Sequence, residues 1–470
     1  MSRAYVFVII LAGLSTATAR AAGPTLVQIA PRLHMSGARP LPRRKEVYQR
    51  SPKIAYGNGR FLVVWQEGYH GLGGASDILG LRLDRSGVPL DAAPIRIGEA
   101  KSVQVSPTVA FCNGNFLVAW ADFRNGNDYD LYATLVDTKG KVRTQDGVLL
   151  AGGRGRQAAP AVTSNGKDTF FVVWKDHRDG KQFAVYGVRI AAADGSIRDK
   201  GGRLLMAKGE APAVAFNGTN YFVSLSARGC LVGVDGAVAH ELPKLWRAKR
   251  SRPAAAVRAW GKALSIFNIS SRPDPWGWGG NGSIIGVSIT PDGKSPEYAA
   301  ARHTWYTAAR DRANRATKNV IDAARWRNRN NWPMGMPGGF KGSHEDTWPS
   351  GRVAAATNGR SLLVVWNRAR FVSAHQLGQR DLYLKRVLDT WAYVDEPKLK
   401  IVAGKTDEVA PALAADNAGN AILVYERQQA EGGIGIEYRV IREDEDRAAP
   451  QVAYVARFSP DKMVLGFDEP

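Results

Sequence analysis

A chain of 470 residues, 44% hydrophobic and 23% charged, has ample material for a large buried core, in one repeat domain or in two to three ordinary ones. Beyond the N-terminus no stretch approaches the ~20 apolar residues that a membrane span requires. Two cysteines are too few for a disulfide-stapled scaffold, and a net charge of +21 directs attention to polyanionic partners.

The chain opens "MSRAYVFVIILAGLSTATARAAGP". Arg3, an apolar run over 4–14 and small residues around Ala19 and Ala22 predict a secretory leader over 1–22. An N-terminal membrane tether is the alternative. On the leader reading the protein is secreted or periplasmic, and its polyanions are uronate-containing or sulfated polysaccharides rather than nucleic acid.

From Pro52 onward the chain repeats itself. "SPKIAYGNGRFLVVWQ" (51–66) returns as "SPTVAFCNGNFLVAWADFR" (106–124) and "APAVTSNGKDTFFVVWKDHR" (159–178). A fourth unit starts near Pro212, and degraded copies follow at Pro253, Pro349 and Pro411. The apolar runs 60–65, 115–120, 169–174, 220–225, 262–267, 361–366 and 420–425 are apolar at consecutive positions, so both faces of each strand are expected to be covered. Asn-Gly pairs such as Asn58-Gly59 and Asn113-Gly114 signal tight hairpins. In the second unit the predicted strands are 108–111, 115–120, 130–137 and roughly 141–150.

Four strands per unit and seven units predict an all-β, seven-bladed β-propeller of four-stranded antiparallel blades over 23–450, with 25–31 lending a strand that closes the ring. A pair of β-sandwiches is the runner-up. Residues 451–470 are read as a C-terminal strand or tail. Cys112 and Cys230 fall on non-adjacent blades and are expected as separate buried thiols.

The pattern resembles a broad group of secreted bacterial propeller repeat proteins built from P-x-V-A…LVVW…G units, over nearly the whole chain after the leader. The resemblance implies the fold and leaves the activity open, because one fold hosts many functions. The D-x-D-G-D-G metal loop of integrin-type repeats and the S-x-D-x-G-x-T-W box of sialidases are both missing from the sequence.

Two places interrupt the repeat. The loop "SSRPDPWGWGGNGS" (270–283) carries Arg272, Trp276 and Trp278, a platform for stacking sugar rings or a rigid loop packed on its neighbour. Residues 295–348 form an insertion, rich in alanine and arginine over 297–333, that predicts one or two helices. Its His303, Trp305 and His344 join the substrate-binding candidates; a solvated basic cap is the plain alternative.

In a propeller the second-to-third-strand loops and the connections between blades share one face. Five of the seven histidines map there: His70, His177, His375, His303 and His344. Arginine recurs at the same rim, as Arg124, Arg178, Arg228 and Arg272 among others. The Asp-x-Arg pairs are either ion pairs tying one blade to the next or a ring of guanidinium groups that grips carboxylate or sulfate.

In fold and residue types this is similar to propeller-fold polysaccharide lyases. That resemblance implies His70, His177 or His375 as base, Tyr69 or Tyr129 as acid, and Arg124 and Arg178 as carboxylate clamps for a β-elimination. Three functions follow: a binder of acidic polysaccharide, a lyase acting on one, and a protein-interaction scaffold. No cofactor is required, a divalent cation being the one candidate, and no metal-binding spacing occurs. The protein is expected to be a monomer without stable membrane insertion.

Overall fold

The structure is a computed structural model. It describes residues 5–10, 33–43, 47–68, 75–209, 212–225, 228–242, 251–257, 264–270, 283–289, 303–304, 353–373, 376–387, 399–402, 406–429, 433–444, 451–459 and 462–468. The chain divides into two compact units. In the first, Tyr5–Ile10 pairs antiparallel with Lys462–Asp468, which pairs in turn with Gln451–Ser459. The second spans Met35–Ile441.

The second unit is a succession of antiparallel sheets, each a meander of consecutive strands. Sheet 1 is Tyr48–Gly57, Arg60–Gly68, Ser76–Asp84 and Ile95–Gly98. Sheet 2 is Gln104–Cys112, Asn115–Asp122, Asp130–Asp137 and Val148–Ala151. Sheet 3 is Gln157–Ser164, Thr169–Asp176, Ala184–Ala191 and Arg203–Met206. Sheet 4 is Ala213–Phe216, Tyr221–Leu225, Arg228–Val232 and Val238–Leu242. Sheet 5 begins at Ser251–Val257 and sheet 6 at Val353–Thr357. Sheet 7 holds Glu408–Ala415, Asn420–Gln428 and Ile434–Glu443. The first strand of each sheet lies beside the first strand of the next, which is how β-propeller blades are arranged.

The apolar runs are apolar at every position because sheets stack on both sides of them. In sheet 1, Phe61, Val63 and Trp65 pack against sheet 7, while Leu62 and Val64 pack against sheet 2. In sheet 2, Phe116, Val118 and Trp120 turn back to sheet 1, while Leu117, Ala119 and Ala121 turn on to sheet 3. Each of these side chains is at most 2% exposed. At roughly 1.5–3 kcal/mol for each large aliphatic or aromatic side chain fully buried, these stacked interfaces are the main source of stability.

The small-Pro signature that starts each unit has a specific cause. Ser51, Ser106, Ala159 and Ala410 adopt φ of 53°, 54°, 53° and 51°, each directly before a proline. At each of them the pairing of first and second strands slips by a residue, a β-bulge. A small side chain limits the steric cost of the left-handed backbone, and the proline removes an amide that the bulge would leave unpaired. First strands therefore begin upstream of the proline: in sheet 2 at Gln104 rather than 108. The fourth strand is shorter than expected, Val148–Ala151, since Val142 makes only an isolated bridge to Val136.

Sheet 7 is completed by N-terminal chain. Arg39–Pro40 pairs with Tyr438 and Glu437, and Ser36 donates its amide to Val440. The expected closing segment 25–31 lies outside the described residues. Among the described residues there is no helix. Of the insertion at 295–348 only His303–Thr304 is described, and it is a strand paired with Gly286 and Ile285, not helix. Cys112 and Cys230 are buried free thiols in sheets 2 and 4.

Candidate functional site

Backbone hydrogen bonds gather the second-to-third-strand loops and the inter-sheet connections on one face. Phe123 donates its amide to Val103, His177 to Arg156, and Gln428 to Asp407. The opposite face carries the hairpin turns, where Arg82 reaches Thr138 and Arg143 reaches Asp194 of the following sheet.

On the loop face, sheets 2 and 3 carry the same clamp. Trp120 Nε1 donates to Asp122 Oδ2 at 2.9 Å, and Arg124 donates from its backbone N–H to Oδ1 at 2.9 Å and from its guanidinium to Oδ2 at 2.6 Å. The guanidinium also donates to the Asp146 carbonyl at 2.7 Å and lies 3.7 Å from the centre of the Tyr132 ring. In sheet 3, Trp174 Nε1 donates to Asp176 at 2.8 Å, Arg178 grips the same carboxylate at 2.6 and 2.9 Å, and the Tyr186 ring lies 4.0 Å beneath it. Asp122 and Asp176 are 0% and 1% exposed.

Burial works against the Arg124 charge, yet the Asp122 hydrogen bond and charge outweigh it and raise its pKa. Arg178 is raised chiefly by its hydrogen bond to Asp176. Both arginines are therefore engaged inside their own sheet, and the pair ties neither blade to the next. As carboxylate clamps they would first have to leave a charged partner, which Arg178 holds in bidentate fashion and Arg124 through one guanidinium nitrogen.

An aromatic pair closes the loop just outside each clamp. Phe123 and Tyr129 have ring centroids 5.1 Å apart in sheet 2; His177 and Phe183 have theirs 4.9 Å apart in sheet 3. His177 thus occupies the slot that Phe123 fills one sheet earlier, a repeat visible in Asp-Phe-Arg against Asp-His-Arg. The Arg156 guanidinium lies 5.1 Å from the centre of the Tyr129 ring. These four rings and Arg156 are half-buried, flanked by exposed Arg154, Lys181 and Asp179 and half-buried Asp128. Together they form a mixed aromatic and charged platform on the loop face. The buried Lys175 ammonium, 5.0 Å from the centre of the Phe183 ring, supports it from below.

The Asn125 side-chain amide donates to Asp128 at 3.0 Å and to Asp130 at 2.9 Å, taking the place between the two carboxylates. Burial raises the Asp130 pKa. Among the described residues no three Asp, Glu, His or Cys side chains gather closely enough to hold a metal.

Of the other sequence candidates, Arg228 is exposed at the start of the third strand of sheet 4, paired with Leu225. Tyr69, His70, Arg272, Trp276, Trp278, Trp305, His344 and His375 lie outside the described residues, as does the His303 side chain. Sequence reasoning passed over Phe123, Arg156 and Phe183. Aligning the loops position by position, rather than scanning for histidine and arginine, finds the aromatic pairs.

No protein-family model and no curated protein sequence matches the chain. Among solved structures it is similar to a Dyadobacter fermentans protein of unknown function, at 11% identity and TM-score 0.43 over 88% of this chain and 99% of that one. It is also similar to the β-propeller domain of the Trilobed protease from Pyrococcus furiosus, at 10% identity and TM-score 0.43 over 83% and 95%. A third is a GH43_1 enzyme from Xanthomonas citri, at 14% identity and TM-score 0.32 over 55% and 93%.

Proposed function

We propose that the second unit is a seven-bladed propeller, exported from the cell, whose loop face binds an acidic polysaccharide. Support for the ring comes from sheet order: the first strand of sheet 7 lies beside the first strand of sheet 1. The binding reading rests on one observation, the half-buried platform of Phe123, Tyr129, His177 and Phe183 with Arg156 against its outer ring. Flat rings stack on sugar faces, and a guanidinium beside them pairs with uronate or sulfate. The net charge of +21 would draw such a polymer in from a distance and make binding salt-dependent.

Binding is favoured over lyase chemistry because Arg124 and Arg178 are held by Asp122 and Asp176, and the His177 ring is packed on Phe183. The test is calorimetric titration of the protein with polygalacturonate, a sulfated glycan and a neutral glucan at low and high salt. Salt-sensitive binding to one acidic polymer alone is the expected result. Equal binding to the neutral glucan, or none at all, contradicts it. Ultraviolet absorbance followed in the same mixtures reports elimination, and a rise there would restore the lyase reading.

A further inference from the structure

The sheets repeat a buried polar position two residues before the left-handed bulge. Gln49, Gln104 and Gln157 hold it in sheets 1, 2 and 3, and Glu408 holds it in sheet 7; all four are 0% exposed. Each stands opposite the residue that ends the second-strand motif: Glu67, Asp122, Asp176 and Arg427.

The position asks its side chain for a donor. Gln49 donates to the Pro42 carbonyl at 2.7 Å and to Glu67 at 3.0 Å, Gln104 donates to the Lys101 carbonyl at 3.2 Å, and Gln157 to the Gly155 carbonyl at 2.8 Å. An ionised glutamate has no donor to give. Both Glu408 oxygens are buried without a hydrogen-bond partner, and Arg427 Nε stays 3.8 Å away. Asn367 follows Trp366 as Glu426 follows Tyr425. Glu426 accepts the Ser51 amide at 2.7 Å across the neighbouring seam, whereas Asn367 Oδ1 is also buried and unpartnered.

We propose that Glu408 is a proton-operated latch on the seam between sheets 6 and 7: its neutral acid supplies the donor that glutamine supplies elsewhere, and loss of that proton to solvent loosens the seam. The first strand of sheet 7 lies beside the second and third strands of sheet 6. The charged groups facing Glu408 are Arg427 and Glu437 from its own sheet, Asp407 beside it and Asp381 from sheet 6. Asp407 is itself held by Arg380, at 2.8 Å from the backbone N–H and 3.4 Å from the guanidinium. Burial and the three neighbouring acids outweigh Arg427 and push the Glu408 carboxyl up to about 7.

The experiment is thermal unfolding of the full chain against pH for the wild type, Glu408→Gln and Glu408→Ala. The amide supplies a donor at every pH. Wild type and Glu408→Gln should therefore melt together at acid pH, and Glu408→Gln should melt higher above neutrality by on the order of a few degrees. Glu408→Ala should melt lower than Glu408→Gln throughout. A pH-independent offset between wild type and Glu408→Gln, or a Glu408→Gln variant that melts lower at alkaline pH, overturns the proposal. Amide exchange of the wild type gives a check without a variant. Corrected for intrinsic rates, exchange at 376–387 and 408–415 should rise with pH relative to sheets 2 and 3; equal pH dependence overturns it.

Discussion

Sheets 2 and 3 differ from sheet 7 at three matched positions, and the difference inverts the charges. In sheets 2 and 3, tryptophan, aspartate and glutamine meet: Trp120, Asp122 and Gln104, then Trp174, Asp176 and Gln157. In sheet 7 they become Tyr425, Arg427 and Glu408. The anion moves from the second strand to the first. In sheets 2 and 3 the carboxylate receives an indole N–H, a backbone N–H and a guanidinium. In sheet 7 the Tyr425 hydroxyl turns to Glu437 at 2.9 Å, Arg427 follows it there at 3.1 Å, and Glu408 is left without a hydrogen bond, with Arg427 Nε 3.8 Å away. A repeat can thus conserve geometry while converting a satisfied buried charge into an unsatisfied one, and the second kind is sensitive to pH.

The largest effect should come from deleting the clamp's anion. Asp122→Ala or Asp176→Ala strips the partner from a tryptophan and an arginine at once, and each should lower unfolding free energy by about 3 kcal/mol in urea titration. A change under ~1 kcal/mol would make the clamp incidental.

Next is the seat of the clamp. Gly147 has φ of 71°, and a Cβ there would stand 2.6 Å from the Trp120 ring and 2.9 Å from the Ala133 carbonyl oxygen. Gly147→Ala should cost about 2 kcal/mol and shift the Trp120 fluorescence. An unchanged melting curve would show that the turn gives way freely.

Sheet 7 should respond with the opposite sign. Glu408 has a folded-state pKa above its unfolded value, so the folded state favours the protonated form. Its stability is fullest below the unfolded value near 4 and falls as pH rises to about 7. At pH 8 the Glu408→Gln change should stabilise by about 1–3 kcal/mol, and at pH 5 by less than half of that.

The smallest effect belongs to His177→Phe. Because Phe123 fills the matched slot, this change should move stability by no more than ~0.5 kcal/mol. A large loss would mean that the imidazole has a partner that the Phe123 slot lacks.

The sheets were legible in the sequence because tryptophan, the preceding apolar run and the Asn-Gly turns each answer to one physical demand, two-faced burial or a tight hairpin. Start points were less legible: Pro107 marks a bulge inside a strand, not its beginning. The site was least legible. Histidine and arginine drew attention by their chemistry, yet Arg124 and Arg178 answer to Asp122 and Asp176, and His177 answers to Phe183. Charge composition counts cations without showing which are already neutralised by a neighbour two residues away. The donors missing at Glu408 show only when its bonds are set beside those of Gln49.

The most direct test of the binding face compares two single charge losses on opposite faces. Arg156→Gln removes the guanidinium over Tyr129 on the loop face; Arg143→Gln removes one that bonds the Asp194 and Ala193 carbonyls on the turn face. Both change net charge equally. Affinity for polygalacturonate, measured by calorimetry at low salt, should fall roughly 3- to 10-fold for Arg156→Gln, an amount equivalent to about 1 kcal/mol, and stay near wild type for Arg143→Gln. Equal losses in the two variants would mean that the polymer responds to net charge alone, and would contradict a site on the loop face.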